Sequence, residues 1–589
     1  MNHSREAIVA AARGDKQMDL VIRSVQLINV FTAEIYRADI GIKSDRFAAV
    51  ARYEAGRPQF WMEGKKEVHA DGLYAMPGFI DSHVHIESTM VPPDMFARAV
   101  LRHGTTVAVV DPHEIANVMG VEGVKYMVEA SRGLPVHILT TIPSCVPAVP
   151  GVETAGAEFK AEDISELLSL PNVVGVAEIM DYPGVIHQHP RMAQIVQAGL
   201  EKNVLNEGHA PRVTGRQLQA YLAAGVNSDH ECRSDDEVLE KLRSGMMVYI
   251  RESSVSKFAD VAAKAWQTVP HALNIAMCTD DIEPNDMLQN GQMNRVVRRA
   301  IEEGIPAPLA IRYATLGGAI RFGLKERGAI AAGRLADLVL VESLETMDVC
   351  DVYVGGKQFV SEGELTTDIT SSIPPLLKNT VRLPQLSEDD FVIHAPIRQG
   401  SVTLTTMEVT SNGTTVQGTV EAEVHEGKVR TLPPDHIFVS VTGRHGQGKK
   451  PFVGVLKGAG LKDGAYATTV AHDSHNLVVV GTNAADMLLA ARSLEACGGG
   501  LCLVRGKEVI AKVELPVAGL MAPEPVEQLA PKVGYFSKKA LEMGIAVGRR
   551  APAMALSSLA LTVTPHIRIT DKGLIDVEQQ KLIPLIQSS

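Results

Sequence analysis

Eight short apolar runs, separated by amphipathic stretches, occupy residues 77 to 325 and restrict the folds open to this chain. They read "GFIDSHVH", "TTVAVVDP", "VHILTTIP", "VVGVAEIM", "NVLNEGH", "GVNSDH", "MMVYIRES" and "NIAMCTDD". Short runs rich in β-branched residues and bounded by turn formers are expected to be buried strands. Between them, "PPDMFARAVLRHG", "TGRQLQAYLAAG" and "SDDEVLEKLRSG" carry helical spacing. Eight strands alternating with helices over about 250 residues predict an α/β fold of the (β/α)8, TIM-like barrel type. A doubly wound open sheet is the rival, but the glycine-rich fingerprint it needs after a first strand is missing.

The 589 residues are too many for one hydrophobic core. Residues 19–76 and 326–380 both read as strands and turns, and predict a small β-sandwich built from two segments around the barrel at 77–325. Residues 385–589 mix strand-like runs such as "HNLVVVGTN" and "GLCLVRGKEVIAKVEL" with the helical "AADMLLAARSLEA". They predict a C-terminal α+β domain, entered through the proline-bearing "SSIPPLLKNTVRLPQLSEDD" as a linker.

With 57 basic and 69 acidic side chains the net charge is −12, which argues against a nucleic-acid-binding surface. The 6 cysteines are scattered without a C-x-x-C pair, so neither a disulfide framework nor a zinc knuckle is expected. No stretch reads as a signal peptide or a membrane span. A cytoplasmic protein with no membrane partner is expected.

The chemistry collects at the C-terminal ends of the predicted strands. The first ends in His83 and His85, the second in Asp111 and His113, the fourth in Glu178, the fifth in His209, the sixth in His230, and the eighth in Asp280 and Asp281. In a barrel these ends share one face, where active sites sit. Residues two apart on a strand point to the same side, so His83 and His85 can share an ion. Glu178 has two oxygens and can bridge two ions. Nitrogen and oxygen ligands without thiolate suit divalent Mn, Fe or Zn. Two such cations could polarise a water into hydroxide near neutral pH, with Asp280 moving the proton.

The bland alternative is that these are ordinary structural histidines, and the chain carries its own controls. "VIHQHPRM" also contains H-x-H, at His187 and His189, but no apolar run leads into it, so it is expected to be a loop without ligands. "VAHDSHNLVVV" places His472, Asp473 and His475 before a strand of the last domain, where a polar turn is expected and an ion site or lid stays open.

The arrangement resembles the amidohydrolase superfamily, with "PGFIDSHVH" as the opening signature and "GRLADLVLV" as the return strand. It is similar in particular to the prokaryotic adenine deaminases, through "PGFIDSHVHIEST", "VVDPHEIANVMG", "VGVAEIMDYPGVI", "LNEGHAP", "SDHE", "CTDD" and the C-terminal "VAHDSHNLVVVG" and "LPVAGLMA". The resemblance implies a binuclear centre on His83, His85, Glu178, His209, His230 and Asp280. Manganese(II) would be the first metal, with iron(II) next and zinc(II) behind them. Glu178 stands where many cyclic-amide hydrolases carry a carboxylated lysine, which favours the deaminase branch.

The implied reaction is hydrolysis of adenine to hypoxanthine and ammonia, a step of purine salvage, by attack of hydroxide on C6. Attack needs N1 protonated, and Glu87, His113 and Asp111 are the candidate donors. Asp281 would orient the purine or Asp280. The alternatives are a deaminase of another 6-substituted purine such as N6-methyladenine, a cyclic-amide hydrolase, and a catalytically dead barrel used as a binding module. A homo-oligomer, dimer or tetramer, is expected.

Overall fold

All eight apolar runs form parallel strands in the computed structural model, which describes residues 5–370, 372–411, 413–547 and 551–587. β1 (Phe79–Val84), β2 (Thr105–Val110), β3 (His137–Ile142), β4 (Val173–Ile179) and β5 (Leu205–Gly208) pair in chain order as one sheet. β6 (Ser228–Asp229), β7 (Met247–Arg251) and β8 (Ile275–Cys278) form a second. β1 and β2 bury every residue, as near-continuous apolar strands covered on both faces must.

The two arcs close on each other at both ends. Past β8, the Asp280 N–H donates to the His83 carbonyl at 2.9 Å. The buried Asp81 of β1 accepts from the Thr279 N–H at 3.0 Å and from its hydroxyl at 2.5 Å, tying the same seam. On the other side, the Gly208 N–H donates to Ser228 Oγ at 2.9 Å. A Cβ at Gly208 would lie 2.1 Å from the Ser228 carbonyl oxygen, so only glycine lets β5 and β6 approach this closely. The ring is a barrel, and Ile80, Val107, Val109, Leu139, Tyr249 and Cys278 belong to one packed cluster.

The helices follow their sequence signals. Pro93–Leu101 starts on a proline, whose fixed φ suits the first turn. In Asp235–Arg243, Ser234 Oγ accepts the Glu237 N–H at 3.3 Å, with acids in the first turn and Lys241 and Arg243 in the last. Lys241 is fully buried and donates to Asp229 at 2.9 Å, Glu237 at 2.6 Å and the Ala210 carbonyl at 2.7 Å, locking this helix to the end of β6.

The flanking β segments share one ten-stranded sheet, in which Leu338–Val341 runs antiparallel to Tyr74–Pro77. Ile22, Ile40 and Phe47 from the first segment pack with Leu338, Leu340 and Tyr353 from the second. A helix at Arg5–Ala12, too short to stand out in the sequence, precedes the sheet.

The last third carries a second ten-stranded sheet, with helix Ala484–Cys497 packed on it, and a three-stranded sheet from Ile567 to Ile583. It lies against the barrel mouth. Asn476 Nδ2 donates to the Thr154 carbonyl at 2.8 Å, Thr562 Oγ1 to Glu153 at 2.9 Å, and the Ala522 N–H to the Met90 carbonyl at 2.8 Å. The proline-bearing stretch is anchored rather than loose: Leu377 is buried, and its carbonyl accepts the Ala518 N–H at 2.7 Å. Among the described residues no helix is long and apolar enough to cross a membrane.

Replacing Lys241 with Met keeps the volume but leaves Asp229 and Glu237 as buried, unpaired carboxylates. The Lys241→Met protein is expected to lose about 3 kcal/mol of stability. A urea titration of the metal-loaded protein checks this, and an unchanged midpoint would contradict it.

Candidate metal centre and active site

Each charged residue noted at the strand ends reaches the mouth, but not all by strand geometry. His83 lies in β1 and Glu178 in β4. His85 sits one residue beyond β1 and opens the short turn Ile86–Thr89, so turn geometry as well as strand alternation sets the pair. The two rings stand edge to face with centroids 4.7 Å apart. His209 follows β5, His230 follows β6, and Asp280 follows β8 with a left-handed φ of 57°. Asp tolerates that conformation better than most residues.

The ring Nδ1 of His85 faces the Asp111 carbonyl at 3.0 Å and must donate to it, which leaves the Nε2 lone pair free. That lone pair points at Asp280 Oδ1, 3.2 Å away, and Glu178 Oε1, 3.4 Å away. Two carboxylate oxygens converging on one ring nitrogen need positive charge between them, either a proton on Nε2 or a cation in its place. His83 Nε2 is buried without a hydrogen-bond partner, 3.8 Å from Asp280 Oδ1. The other Glu178 oxygen lies 2.6 Å from His209 Nδ1 and 3.2 Å from His230 Nε2.

Among the groups whose ligand atoms lie close enough to hold an ion, three overlap at the barrel centre: His83, His230 and Asp280; Glu178, His209 and His230; His85, Asp111, His113 and Glu178. The donors are imidazole and carboxylate only, which fits a divalent first-row cation. Burial pushes the Glu178 carboxyl up, but the histidines led by His209 outweigh it and hold the group well below the usual carboxylate range. At Asp280 the same burial is overcome chiefly by Arg251.

Arg251 is a residue the sequence reading missed. It is buried in β7, and Nη1 meets Asp280 Oδ2 at 2.5 Å and also pairs with Glu231. Only its position at a strand end, in "VYIRES", could have singled it out.

A second layer surrounds the mouth. His113 opens the helix His113–Met119, with Nδ1 3.2 Å from Asp111 Oδ2 and 3.6 Å from Glu178 Oε1. Glu87 accepts the Ile115 N–H of that helix at 3.1 Å and does not line the cavity over the centre. Burial, and then the neighbouring Glu114, push the Glu87 carboxyl up to about 8. Asp281 lines the cavity and accepts from Ser88 Oγ at 2.6 Å.

The stretch "VAHDSHNLVVV" also arrives here. Asp473 Oδ1 is 3.6 Å from His113 Nε2, and His472 Nδ1 is 3.4 Å from Glu114 Oε1. His475 Nδ1 accepts the Ala471 N–H at 3.2 Å, so its proton sits on Nε2, aimed at Glu114 Oε2 3.8 Å away. These side-chain contacts are charge contacts rather than hydrogen bonds, since His475 Nε2, Glu114 Oε2 and Asp473 Oδ2 are buried without a hydrogen-bond partner. The control pair behaves as expected of a loop: His187 and His189 are exposed, with centroids 6.1 Å apart. The cavity over the centre has a volume of about 730 Å³ and is lined from both sides, by barrel residues such as His85 and Arg251 and by C-terminal ones such as Asp473 and Ser558.

Comparison with known proteins matches two stretches of the chain. The amidohydrolase family matches residues 74–359, and the adenine deaminase C-terminal domain matches residues 412–581. The chain is 41% identical to an adenine deaminase of Klebsiella pneumoniae subsp. pneumoniae, over 99% of this chain and 96% of that protein. It is 39% identical to one from Desulfatibacillum aliphaticivorans, over 99% of this chain and 100% of that protein. A third, from Moorella thermoacetica, is 39% identical over 98% of this chain and 97% of that protein.

If Glu178 holds ions through both oxygens, Glu178→Gln should lower bound metal from about two ions per chain to one or none. Elemental analysis after expression with manganese reads this directly. Full metal retention in the variant would remove Glu178 from the ligand set.

Proposed function

The chain belongs to the adenine deaminase family of metal-dependent amidohydrolases, and we propose how its residues divide the labour of turning adenine and water into hypoxanthine and ammonia. Full-length likeness to proteins of that name carries the reaction. The lone-pair convergence of His85, Asp280 and Glu178 supports the division of roles.

In this reading His83, His85, Glu178, His209, His230 and Asp280 would hold two divalent cations, manganese(II) by preference and iron(II) next. Such a pair, when bound, lowers the pKa of water enough to supply hydroxide at neutral pH. Glu178, whose two oxygens face different histidines, would serve both positions. Asp280 is held from behind by Arg251, which leaves its other oxygen at the centre to take the water proton and return it to the departing amine.

N1 must gain a proton as C6 is attacked, because negative charge otherwise builds on the ring. Of the three candidates, His113 has the best placement. It lines the cavity, and its ring stands between the carboxylates of Asp111 and Asp473, which favour its protonated form. Glu87, through the Ile115 N–H, positions the helix that carries His113. Asp281, fixed by Ser88, orients the purine. The protein would act in the cytosol as a homo-oligomer.

The manganese-loaded protein should release ammonia and hypoxanthine from adenine, and no turnover would overturn the reading. His113→Asn should lower kcat about 10²-fold or more at unchanged metal content. A kcat within a few-fold of the parent would assign the N1 proton elsewhere.

A further inference from the structure

Residues 151–154, in the loop between β3 and the helix Ala161–Leu167, are each bonded to the C-terminal domain. The Gly151 carbonyl accepts from Lys572 Nζ at 2.8 Å, and the Val152 carbonyl from Thr570 Oγ1 at 2.8 Å. Glu153 Oε1 accepts the Thr562 hydroxyl at 2.9 Å. The Thr154 N–H donates to Asp571 Oδ1 at 2.9 Å, and the Thr154 carbonyl accepts from Asn476 Nδ2 at 2.8 Å. Consecutive barrel residues thus hold separate segments of the last domain.

Two of those segments wall the active site. Thr562 stands between Leu561 and Val563, which line the cavity over the metal centre as part of its roof. Asn476 follows the turn whose His472 and Asp473 also line it. The roof and the turn are joined to each other, because the His472 N–H donates to the Ser557 carbonyl at 2.8 Å. Whatever loosens residues 151–154 therefore loosens the wall that the C-terminal domain gives the site.

Glu153 is the point of strain in this interface. It is 3% exposed, and Oε1 also accepts the Val149 N–H at 3.0 Å, while Oε2 is buried with no hydrogen-bond partner. The charges that bear on it are both negative: Asp473 from the turn, and Asp571 from between the strands Ile567–Thr570 and Gly573–Asp576. Burial pushes the Glu153 carboxyl up to about 7; Asp473 and Asp571 add to this, and the Val149 N–H and the Thr562 hydroxyl oppose it. Ionised, Glu153 would be a further negative charge in a buried interface, which is costly unless it is paired.

We propose that residues 151–154 form a proton-sensitive latch, which holds the C-terminal roof over the active site while Glu153 is protonated and frees it when Glu153 ionises. With the latch closed, the carboxyl keeps its proton to higher pH than the ordinary glutamate value of 4.5. Closure is therefore fully favoured below that value, and the advantage is lost as pH rises through about 7. The proton gates the cavity from a position outside the metal centre.

Hydrogen exchange in the manganese-loaded full chain tests this, read as protection factors so that the intrinsic pH dependence of exchange drops out. The Leu561 and Thr564 N–H groups, bonded within the roof to the Ser558 and Leu561 carbonyls, are the reporters. In the parent their protection should fall about tenfold or more between about pH 5.5 and about pH 7.5. Glu153→Gln keeps an oxygen acceptor for both donors and cannot ionise, so its protection should stay level over that range. Thr562→Val removes the hydroxyl and should lower roof protection about fivefold at both pH values.

Level protection in the parent, or an equal fall in Glu153→Gln, would overturn the latch. So would a fall spread evenly over the barrel helices, which would report loss of the whole fold rather than release of the roof. Roof protection unchanged in Thr562→Val would overturn it as well.

Discussion

The buried Glu178 carboxylate, ringed by imidazoles, is the interaction around which the rest of the molecule is organised. His85, His113, His209 and His230 direct ring nitrogens toward this carboxylate, and Asp280 brings an oxygen to His85 beside it. Such a set is stable only with positive charge at its middle, whether as protons or as metal ions. The barrel supplies the rigidity that keeps these groups together, because each is fixed to the end of a strand locked to its neighbours. The closures at Gly208 and Asp280 therefore bear directly on function: a barrel opened at either seam would part His209 from His230, or His83 from Asp280.

Around this centre the chain builds a shell that sets orientation. The Asp111 carbonyl fixes the His85 tautomer, Arg251 turns Asp280, and Ser88 holds Asp281. Partners of this kind hold ligand geometry nearly as firmly as the ligands hold the metal. The C-terminal domain extends the shell. It does more than cover the mouth, because Asp473 and His472 come within reach of His113 and Glu114, on the helix that follows β2. A site walled from two directions excludes water better than an open barrel face, which strengthens every electrostatic contact inside it.

Much of the architecture was legible in the sequence. The eight strands carry their own signal, since parallel strands covered on both faces must be apolar along their length, and "TTVAVV" or "IAMC" can be little else. Helix Asp235–Arg243 announces itself through Ser234, three leading acids and two trailing bases. The histidines and carboxylates of the centre were legible because polar residues at the ends of apolar strands have no packing role to explain them. The helix at Arg5–Ala12 was not legible, being only 8 residues long.

The sequence by itself therefore determined the barrel, the return of the chain to its first sheet, and the histidines and carboxylates that meet at one face. Periodicity and residue chemistry are local properties, and strand ends converge in any barrel. The tertiary structure decided the rest: that Arg251 backs Asp280, that Glu87 serves a helix terminus rather than the cavity wall, and that Asp473 crosses from another domain to stand beside His113. These relations join residues tens to hundreds of positions apart, through side-chain directions that no local pattern encodes. They exist only once the strands have closed and the last domain has docked.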